Sequence, residues 1–357
     1  MNTARALERG DLRTRTAKPE AASAEALGFT PWTILRANSR SIAVALVACF
    51  LVLLTIEVAI FRSGFFVSHV TVSNPQSPAA KLALAARQSN ARVLYVGDST
   101  VMTSVLPAVV SKTCECGPGF NGGFSAATPW LTDAMTRRLL GLMQPHVVVI
   151  SASPWIVDGN ARFEDSDLAR QLMPTANLDR LGAQLDLGQR IDAGFGELWS
   201  AYGQRQLLKE WLGSLAPGQR YDEALLGYWV AAGSIDSHAR LIATADSLFK
   251  DVGRASSSAS GALVIGALID ELRARDITVV FLAPPLHPTA YEEAAPYLER
   301  AEVAIQELAS QHSVPIVDCR SSVTPADFRD VTHLQKSGAD KHSACVGEQL
   351  RALVPND

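Results

Sequence analysis

The chain has 357 residues, of which 48% are hydrophobic and 19% charged, with a formal net charge of −4. This length is enough to bury one large core and to leave a separate apolar segment. The charge is small for the length, and no lysine- and arginine-rich stripe is interleaved with aromatic residues. The composition therefore excludes the electrostatic pattern of nucleic-acid binding, and we expect no nucleic-acid partner.

The first predicted element is a transmembrane helix at residues 41–61. Its sequence, SIAVALVACFLVLLTIEVAIF, is long enough to cross a bilayer with every backbone polar group satisfied inside the helix. A cleaved signal peptide is the alternative, but the run is longer than the apolar region of such peptides, begins late and has no convincing cleavage site behind it. Glu57, inside the run, either contacts a partner helix or reaches the nearby lipid headgroups.

The orientation of this helix is predicted from the positive charges on its two sides. Arginine and lysine are frequent in the preceding tail, residues 1–40, whereas no basic residue lies between Arg62 and Lys81. Positively charged segments stay on the cytoplasmic side of a membrane. We therefore expect a single-pass protein of the bacterial inner membrane, with a cytoplasmic basic tail at 1–40 and a periplasmic domain.

After a predicted linker at 62–90, short apolar runs alternate with amphipathic stretches from residue 91 to residue 353. This alternation predicts an α/β domain whose parallel strands are covered by helices on both faces. The predicted strands are residues 92–96, 147–151, 278–282 and 315–318. The predicted helices are residues 128–143, 262–275 and 290–310.

An insertion at about 159–253 interrupts this pattern and is predicted to be mostly helical. Its aromatic residues are Trp199, Tyr202, Trp211, Tyr221, Tyr228 and Trp229. These rings either offer flat faces to sugar rings in a lid or recognition region, or pack in a core at helical spacing, which is the more frequent role.

The chain has five cysteines, of which Cys49 lies in the apolar run. The other four are Cys114, Cys116, Cys319 and Cys345. Their spacing lacks the paired C-x-x-C pattern of a structural zinc site, so we expect no metal and no cofactor. In an oxidising compartment we expect one or two disulfides that tie the segment after Ser99 to the C-terminal part, although the sequence does not define the pairing.

The strongest chemical signal begins where the first strand ends, at Gly97-Asp98-Ser99-Thr100. A serine just past the carboxyl end of a parallel strand lies where open α/β sheets bind their ligands. Glycine permits a tight turn there, and free backbone N–H groups at the start of the next helix would stabilise an oxyanion. We therefore predict that Ser99 is a nucleophile and that its own N–H contributes to an oxyanion hole.

A serine nucleophile needs a base within hydrogen-bond reach, and the base needs a third group that fixes its tautomer. Among the seven histidines, only His333 has an aspartate three residues before it. This aspartate is Asp330, and both residues lie between the last strand and the C-terminal helix. We predict His333 as the general base and Asp330 as its orienting acid. His287, after a strand end, either lines the pocket and contacts substrate or is a loop histidine without a catalytic role.

These two motifs, G-D-S-T after the first strand and D-x-x-H before the last helix, resemble the GDSL or SGNH hydrolase superfamily. The resemblance spans residues 92–353, apart from the insertion. It implies a flavodoxin-like three-layer α/β/α fold, with Ser99 as nucleophile, His333 as base and Asp330 as the third member of a triad.

The family's other two sequence blocks are altered in this chain. The block in which an asparagine precedes an oxyanion-hole glycine by five positions resembles Asn121 to Ala126, with alanine in place of glycine. The G-x-N-D block corresponds to Ser151-Ala-Ser153-Pro-Trp155, without the asparagine. We expect Ala126 and Ser153 in the oxyanion hole, and Asn121 and Trp155, with His287, to contact substrate. Loss of one oxyanion donor costs roughly 10²- to 10³-fold in rate, so hydrolysis is expected to be slow.

The S-x-S-P-W stretch and the membrane helix resemble, more specifically, SGNH-like proteins of alginate or cellulose O-acetylation and of teichoic-acid D-alanylation. This resemblance implies transfer of an acyl group, most simply acetyl, from a polytopic membrane-bound O-acyltransferase to an exported or cell-surface glycan. A membrane tether beside the donor raises its effective concentration. The alternatives are an extracytoplasmic carbohydrate or lipid esterase and a non-catalytic assembly or glycan-binding protein with the same fold.

Overall fold

The computed structural model describes residues 39–157, 172, 186–218, 220–230, 237–250 and 260–354. Most of the predicted tail at 1–40 and parts of the predicted insertion at 159–253 lie outside the described residues. The chain divides into two compact units, residues 1–55 and 56–357.

The described part of the first unit lies in helix α1, Ser39–Ile56. Within the described residues, the range Ser41–Arg62 is the one helical stretch long and apolar enough to cross a membrane, with 22 residues and a mean hydropathy of 2.8. Its large apolar side chains are exposed. Membrane anchors and N-terminal signal sequences share this length and composition.

The second unit contains a five-stranded sheet and the remaining described helices. It opens with a π-helical segment, Glu57–Arg62. The strands are β1 Val93–Val96, β2 Gly119–Asn121, β3 Val147–Ser151, β4 Thr278–Ala283 and β5 Ile316–Asp318. The α-helices are α2 Phe65–His69, α3 Pro78–Ala85, α4 Ser99–Ser104, α5 Pro107–Cys114, α6 Pro129–Leu140, α7 Leu187–Leu198, α8 Ser200–Gly203, α9 Arg205–Ser214, α10 His238–Lys250, α11 Ser260–Arg273, α12 Pro288–Gln311 and α13 Lys336–Arg351.

All neighbouring strands are parallel, and their order in the sheet is β2-β1-β3-β4-β5. This is the flavodoxin-like order, in which the direction of winding reverses between β1 and β3. At such a point the connections leave to opposite sides, and a crevice opens outside the carboxyl ends of the two strands. The predicted α/β class with a parallel sheet is confirmed, and the crevice lies where Ser99 follows β1.

Alternate residues of the strands enter two separate cores, one on each face of the sheet. Leu94 and Val96 of β1 pack in the core that also contains residues of α3, α6 and α11. Val93 and Tyr95 pack in the core that contains residues of α5 and α13. All four residues of β1 are buried, as expected for a strand covered on both sides, and the result is a three-layer α/β/α arrangement.

Strand β2 was not among the predicted strands. Its three residues lie in the sequence G-P-G-F-N-G-G, where proline and glycine indicate a turn. Pairing with β1 holds one of its sides, and on the other side the Asn121 N–H donates to the Leu226 carbonyl at 2.8 Å. Tertiary pairing, and not local preference, therefore makes this segment a strand.

The predicted linker at 62–90 is wrong for much of its length. Val70, Val72 and most of α3 are buried in the first of the two cores. Helix α3 begins at a clear N-cap, where the Ser77 side chain accepts a hydrogen bond from the Ala80 N–H. Its sequence, PAAKLALA, has no polar face because the helix is covered nearly all round, and the folded domain therefore begins before residue 91.

Each of the two disulfides joins positions within one part of the chain, at sequence separations of 2 and 26 residues. Cys114 pairs with Cys116, and Cys319 pairs with Cys345. The expected bridge from the segment after Ser99 to the C-terminal part is therefore wrong. That connection is made by helix packing, because α13 approaches α5 so closely that a Cβ on Gly347 would lie 3.0 Å from the Val110 carbonyl oxygen.

Candidate active site

The turn from β1 into α4 places Ser99 at the first position of the helix, where its side chain is half-buried. Gly97 has a φ of +139° and passes so close to β3 that an added Cβ would lie 2.4 Å from the Cβ of Ser151. Only glycine fits this turn, because both the backbone conformation and the space exclude a side chain. The sequence G-D-S therefore delivers a serine to the crevice between β1 and β3.

Both carboxylate oxygens of Asp98 accept hydrogen bonds that stabilise this turn. Its Oδ1 accepts hydrogen bonds from the backbone N–H of Thr100 at 2.8 Å and from the Thr100 hydroxyl at 2.5 Å, which caps α4. Its Oδ2 accepts a hydrogen bond from the indole N–H of Trp155. The carboxylate is buried, so these donors replace the water that it would otherwise bind.

Asp330 and His333 are in direct contact, as their spacing predicts. His333 Nδ1 lies 2.8 Å from Asp330 Oδ2, and the His333 backbone N–H donates to Asp330 Oδ1 at 2.9 Å. An ionised carboxylate next to Nδ1 accepts a hydrogen bond from the N–H at that position and so leaves Nε2 as the basic nitrogen. Nε2 is buried and has no hydrogen-bond partner within the described part of the chain.

The carboxylate of Asp330 stays ionised in this environment. Burial alone would raise its pKa, but hydrogen bonds from the His333 imidazole and from the backbone N–H groups of Thr332 and His333 outweigh burial. The pKa of Asp330 is therefore held below its ordinary value. A charged carboxylate at this position holds the Nδ1 hydrogen bond and thereby fixes the orientation of the imidazole ring.

The loop that contains Asp330 and His333 is fastened at several points. The Arg329 N–H donates to the His333 carbonyl, and the His287 N–H donates to the Val331 carbonyl, each at 2.9 Å. His287 also caps α12 through Nδ1 and packs edge-on against Phe328. His287 is therefore placed to support the loop, and its contact with substrate stays a prediction.

Trp229 connects the helix of Ser99 with the loop of His333. Its backbone N–H donates to the Met102 carbonyl of α4 at 3.2 Å, and its indole ring meets the His333 ring edge-on, with 6.4 Å between centroids. The indole is half-buried. Trp229 was one of several aromatic residues in the predicted insertion, and nothing in its local sequence distinguished it from the others.

A buried lysine holds the segment that carries Trp229. Lys81 Nζ donates to the carbonyl oxygens of Asn121, at 3.0 Å, and of Gly227. Burial holds the pKa of Lys81 well below its ordinary value, and no carboxylate in the described ranges pairs with it. Lys81 was not among the predicted site residues, although a lysine in the apolar run PAAKLALA is a signal of an internal polar contact.

Ala126 has a φ of +55°, in the left-handed region that favours glycine. Glycine is the residue at this position in the family pattern that the sequence resembles, and the backbone here has a conformation that glycine adopts without strain. An alanine in this region costs roughly 1 kcal/mol or more. Ala126 is exposed, and its N–H has no acceptor among the described residues.

Ser153 lies directly after β3, in the position where the resemblance expects asparagine. Its side chain is completely buried, and its Oγ has no hydrogen-bond partner in the described part of the chain. Leaving a buried hydroxyl unpaired costs roughly 1 to 3 kcal/mol. The backbone carbonyl of Ser153, in contrast, accepts a hydrogen bond from the Ile156 N–H at 2.9 Å.

Asn121 does not contact the crevice, and its predicted role in substrate binding is wrong. The side chain is fully buried, and its Nδ2 donates to the carbonyl oxygens of Val101, at 3.0 Å, and of Val105, at 2.8 Å. Its Oδ1 accepts from the Gly123 N–H at 3.0 Å. Asn121 therefore fastens α4 to the end of β2, and both N–H groups of its amide are used in doing so.

A cavity of about 270 Å³ opens at the carboxyl ends of β3 and β4. Ala152 and Pro154, the neighbours of Ser153, form part of its wall. Arg320 lines the same cavity and is neutralised by Asp318 and Glu302. No group of three or more potential metal ligands occurs among the described residues.

No protein-family model and no curated protein match the sequence. Among solved structures, the chain is similar to a Bacteroides fragilis protein provisionally described as an acylhydrolase, with 11% identity, a TM-score of 0.37 and coverage of 74% of this chain and 88% of that one. It is also similar to a GDSL-like lipase of Bacteroides thetaiotaomicron, with 13% identity, a TM-score of 0.32 and coverage of 75% and 91%. Because these scores are low, the α/β fold is assigned from the strand order of this chain alone.

Proposed function

We propose that the protein is a serine-dependent acyl-transfer enzyme in which Ser99, His333 and Asp330 form the catalytic triad. The observation that carries this proposal is the difference between the surroundings of the two imidazole nitrogens of His333. His333 Nδ1 is hydrogen-bonded to an ionised carboxylate, while Nε2 is buried and has no partner among the described residues. A base oriented in this way can accept a proton from a serine hydroxyl that comes within hydrogen-bond reach of Nε2.

In the proposed reaction, Ser99 Oγ attacks the carbonyl carbon of an acyl donor, and its proton passes to His333 Nε2. The tetrahedral intermediate collapses, the proton passes to the leaving group, and an acyl ester remains on Ser99. An acceptor hydroxyl then attacks this ester, gives its proton to His333, and leaves as the acylated product when the proton returns to Ser99. The N–H groups of Ser99 and Ala126 and the hydroxyl of Ser153 are the proposed oxyanion donors.

The proposed acceptor is a hydroxyl of an exported or cell-surface glycan. Two half-buried indole rings support this choice, because Trp229 flanks His333 and Trp155 contacts Asp98 beside Ser99. Flat, partly exposed aromatic faces suit the apolar faces of sugar rings. The acyl group is proposed to be acetyl, and Trp155 and His287 are proposed to contact substrate.

The proposed location is the periplasmic face of the bacterial inner membrane, with Ser41–Arg62 as the anchor. The length and hydropathy of this helix support the proposal. A polytopic membrane-bound O-acyltransferase is the proposed donor, because a tethered enzyme meets a membrane-embedded donor at a high effective concentration.

Hydrolysis is the second candidate function, and the exposure of the site favours it. The Ser99 side chain is only half-buried, so water can reach an acyl ester there. The full-length protein in detergent is given 4-nitrophenyl acetate with increasing amounts of an oligosaccharide. A transferase yields acetylated sugar at the expense of free acetate, whereas a hydrolase releases acetate at a rate that the sugar does not change. Ser99→Ala is the control, and in both cases it removes turnover.

A further inference from the structure

Four large apolar side chains of helix α7 are more than half exposed. The exposed fractions are 74% for Leu187, 64% for Ile191, 51% for Phe195 and 69% for Leu198. At 100° per residue these four positions fall on one face of the helix, which we call the α7 face. The residues that α7 buries against the domain are small, Ala193 and Gly196. This is the reverse of the arrangement that water favours.

The rotation of α7 about its own axis is fixed by specific contacts. A capping box joins Asp186 and Gln189 at its start, with hydrogen bonds of 2.8 and 2.9 Å. The Tyr202 hydroxyl donates to Asp192 at 2.6 Å. Helix α8 lies so close that a Cβ on Gly203 would be 2.5 Å from the Gly196 carbonyl oxygen. The α7 face therefore cannot turn inward without a loss of these contacts.

The C-terminal end of α7 is bonded to the last turn of the helical range that is long enough to cross a membrane. Arg62 Nη2 donates to the Leu198 carbonyl at 2.5 Å. The Glu57 carboxylate is buried and accepts from the backbone N–H groups of Ser200, at 2.6 Å, and of Ala201, at 2.9 Å. Glu57 and Arg62 also pair with each other at 3.3 Å.

These contacts decide between the two interpretations of Glu57. The carboxylate contacts another helix, but this helix is α8 of the same chain, and the interpretation as a headgroup contact is wrong. Because Glu57 and Arg62 belong to the range Ser41–Arg62, the junction of α7 and α8 lies at the end of that range. Phe65, three residues further on, is also 54% exposed.

We propose that the α7 face lies in the outer interface of the same bilayer that Ser41–Arg62 crosses. An amphipathic helix in this position lies in the plane of the membrane, with its apolar face roughly 5 to 10 Å deep among the headgroups and the first acyl carbons. The bilayer is the favoured occupant because the direct hydrogen bonds between the α7 end and Arg62 keep this face at membrane level. A second copy of the chain would have to be met by diffusion.

The consequence is a second point of attachment. One helix alone leaves a domain free to tilt, whereas a helix in the interface also fixes its orientation. The inference rests on the proposed membrane anchor and is independent of the chemistry at Ser99. Vesicle flotation of the full chain tests the anchor separately, so a failure of the anchor and a failure of the α7 face are distinguishable.

The test measures the depth of the α7 face in the full-length protein. Cys49, the one free cysteine among the described residues, is replaced by serine, and Ile191→Cys carries an environment-sensitive fluorophore. The protein is reconstituted into phosphatidylcholine vesicles with or without bromine on the acyl chains. We expect brominated lipid to lower the fluorescence at position 191 at least twofold and aqueous iodide to quench it weakly. The same label at Glu348→Cys, an exposed position on α13, should respond only to iodide.

Two results would overturn the proposal. Quenching by iodide at position 191 equal to that at 348, without an effect of brominated lipid, would mean that the α7 face is in water. Shielding from iodide without quenching by brominated lipid would mean that protein covers it. A dependence of that shielding on the protein-to-lipid ratio would identify the cover as a second copy of the chain. The Ser99→Ala variant should give the same depth as the parent.

Discussion

The indole N–H of Trp155 donates to Oδ2 of Asp98, and this hydrogen bond joins the loop after β3 to the residue that caps the helix of Ser99. The two strands at the reversal point of the sheet are thereby connected beyond their ends. The position of Ser99 depends on both of them.

Trp155→Phe tests this connection. The variant keeps an aromatic ring and removes the donor, so a buried carboxylate loses a charge-assisted hydrogen bond worth roughly 1.5 to 3 kcal/mol. We expect the free energy of unfolding to fall by about 2 kcal/mol and kcat to fall by about tenfold, since the nucleophile is less well held. Thermal unfolding and acetyl-ester turnover measure the two effects.

Trp211→Phe is the matched control, because this indole packs against Phe66 and not against the site. It should leave kcat unchanged. Full activity in Trp155→Phe would mean that the hydrogen bond to Asp98 does not position Ser99.

Ser153→Ala separates a catalytic from a structural role of this hydroxyl. Its Oγ is buried and has no partner among the described residues. Removal of the hydroxyl should therefore leave the free energy of unfolding unchanged or raise it by about 1 kcal/mol. If the hydroxyl donates to the oxyanion, kcat should fall by roughly 10²-fold. Thr132→Val removes a buried hydroxyl of α6 that also has no partner among the described residues, and it should change stability in the same direction without loss of kcat. An unaltered kcat in Ser153→Ala would exclude Ser153 as an oxyanion donor.

Ala126→Gly and Ala127→Gly should differ in their effect on stability, with little net change in the first variant and a loss in the second. At Ala126, with φ of +55°, glycine relieves a strain of roughly 1 kcal/mol, which offsets its greater freedom in the unfolded chain. At Ala127, which is buried and not in the left-handed region, the same substitution should lower the free energy of unfolding by about 1 kcal/mol. Denaturant unfolding compares the two variants. Equal losses in both would mean that Ala126 is not strained.

The stability of the folded protein should fall as the pH is lowered from about 6.5 to about 4. The upper limit is the ordinary pKa of histidine, and the lower limit is the pKa of His342 in the folded state. His342 is completely buried, and burial lowers its pKa, so it stays neutral in the folded protein while the unfolded chain takes up a proton. The contribution of His342 to the free energy of unfolding is fully present above the pKa of histidine in the unfolded chain. It is lost as the pH falls through the pKa of His342 in the folded protein, and the total loss is about 3 kcal/mol.

His342→Asn is the variant that tests this account. Its amide N–H can replace the hydrogen bond between Nδ1 and the Ser104 carbonyl, and it does not titrate. The slope of unfolding free energy against pH should therefore become shallower between pH 4 and 6.5, the same window. An unchanged slope would assign the acid sensitivity to other groups. Asp330, whose pKa is lowered, acts in the same direction at lower pH.

Strong local patterns predicted the centre of the fold. Strands β1, β3, β4 and β5 are apolar runs between turn signals, and each was placed within two residues of its observed bounds. The pair of Asp330 and His333 was also predicted, because three residues of spacing in a loop lets both side chains meet. In both cases, interactions close in sequence determine the structure.

Features that depend on distant parts of the chain were not predictable. Strand β2 depends on its pairing with β1, and the burial of Lys81 depends on carbonyl groups of Asn121 and Gly227. The assignment of Asn121 to substrate binding failed because the family pattern specifies residue types and not the direction of a side chain. Trp229 and His333 are about 100 residues apart in sequence, so the contact between their rings forms only in the folded domain.

The central claim is that Ser99 carries the acyl group, and mass spectrometry of the trapped enzyme tests it most directly. The full-length protein is mixed with 4-nitrophenyl acetate, quenched in acid within the first turnover and digested. The account predicts an added acetyl group on the peptide that contains Ser99, formed much more slowly in His333→Gln. Absence of this adduct, together with undiminished turnover in Ser99→Ala, would contradict it.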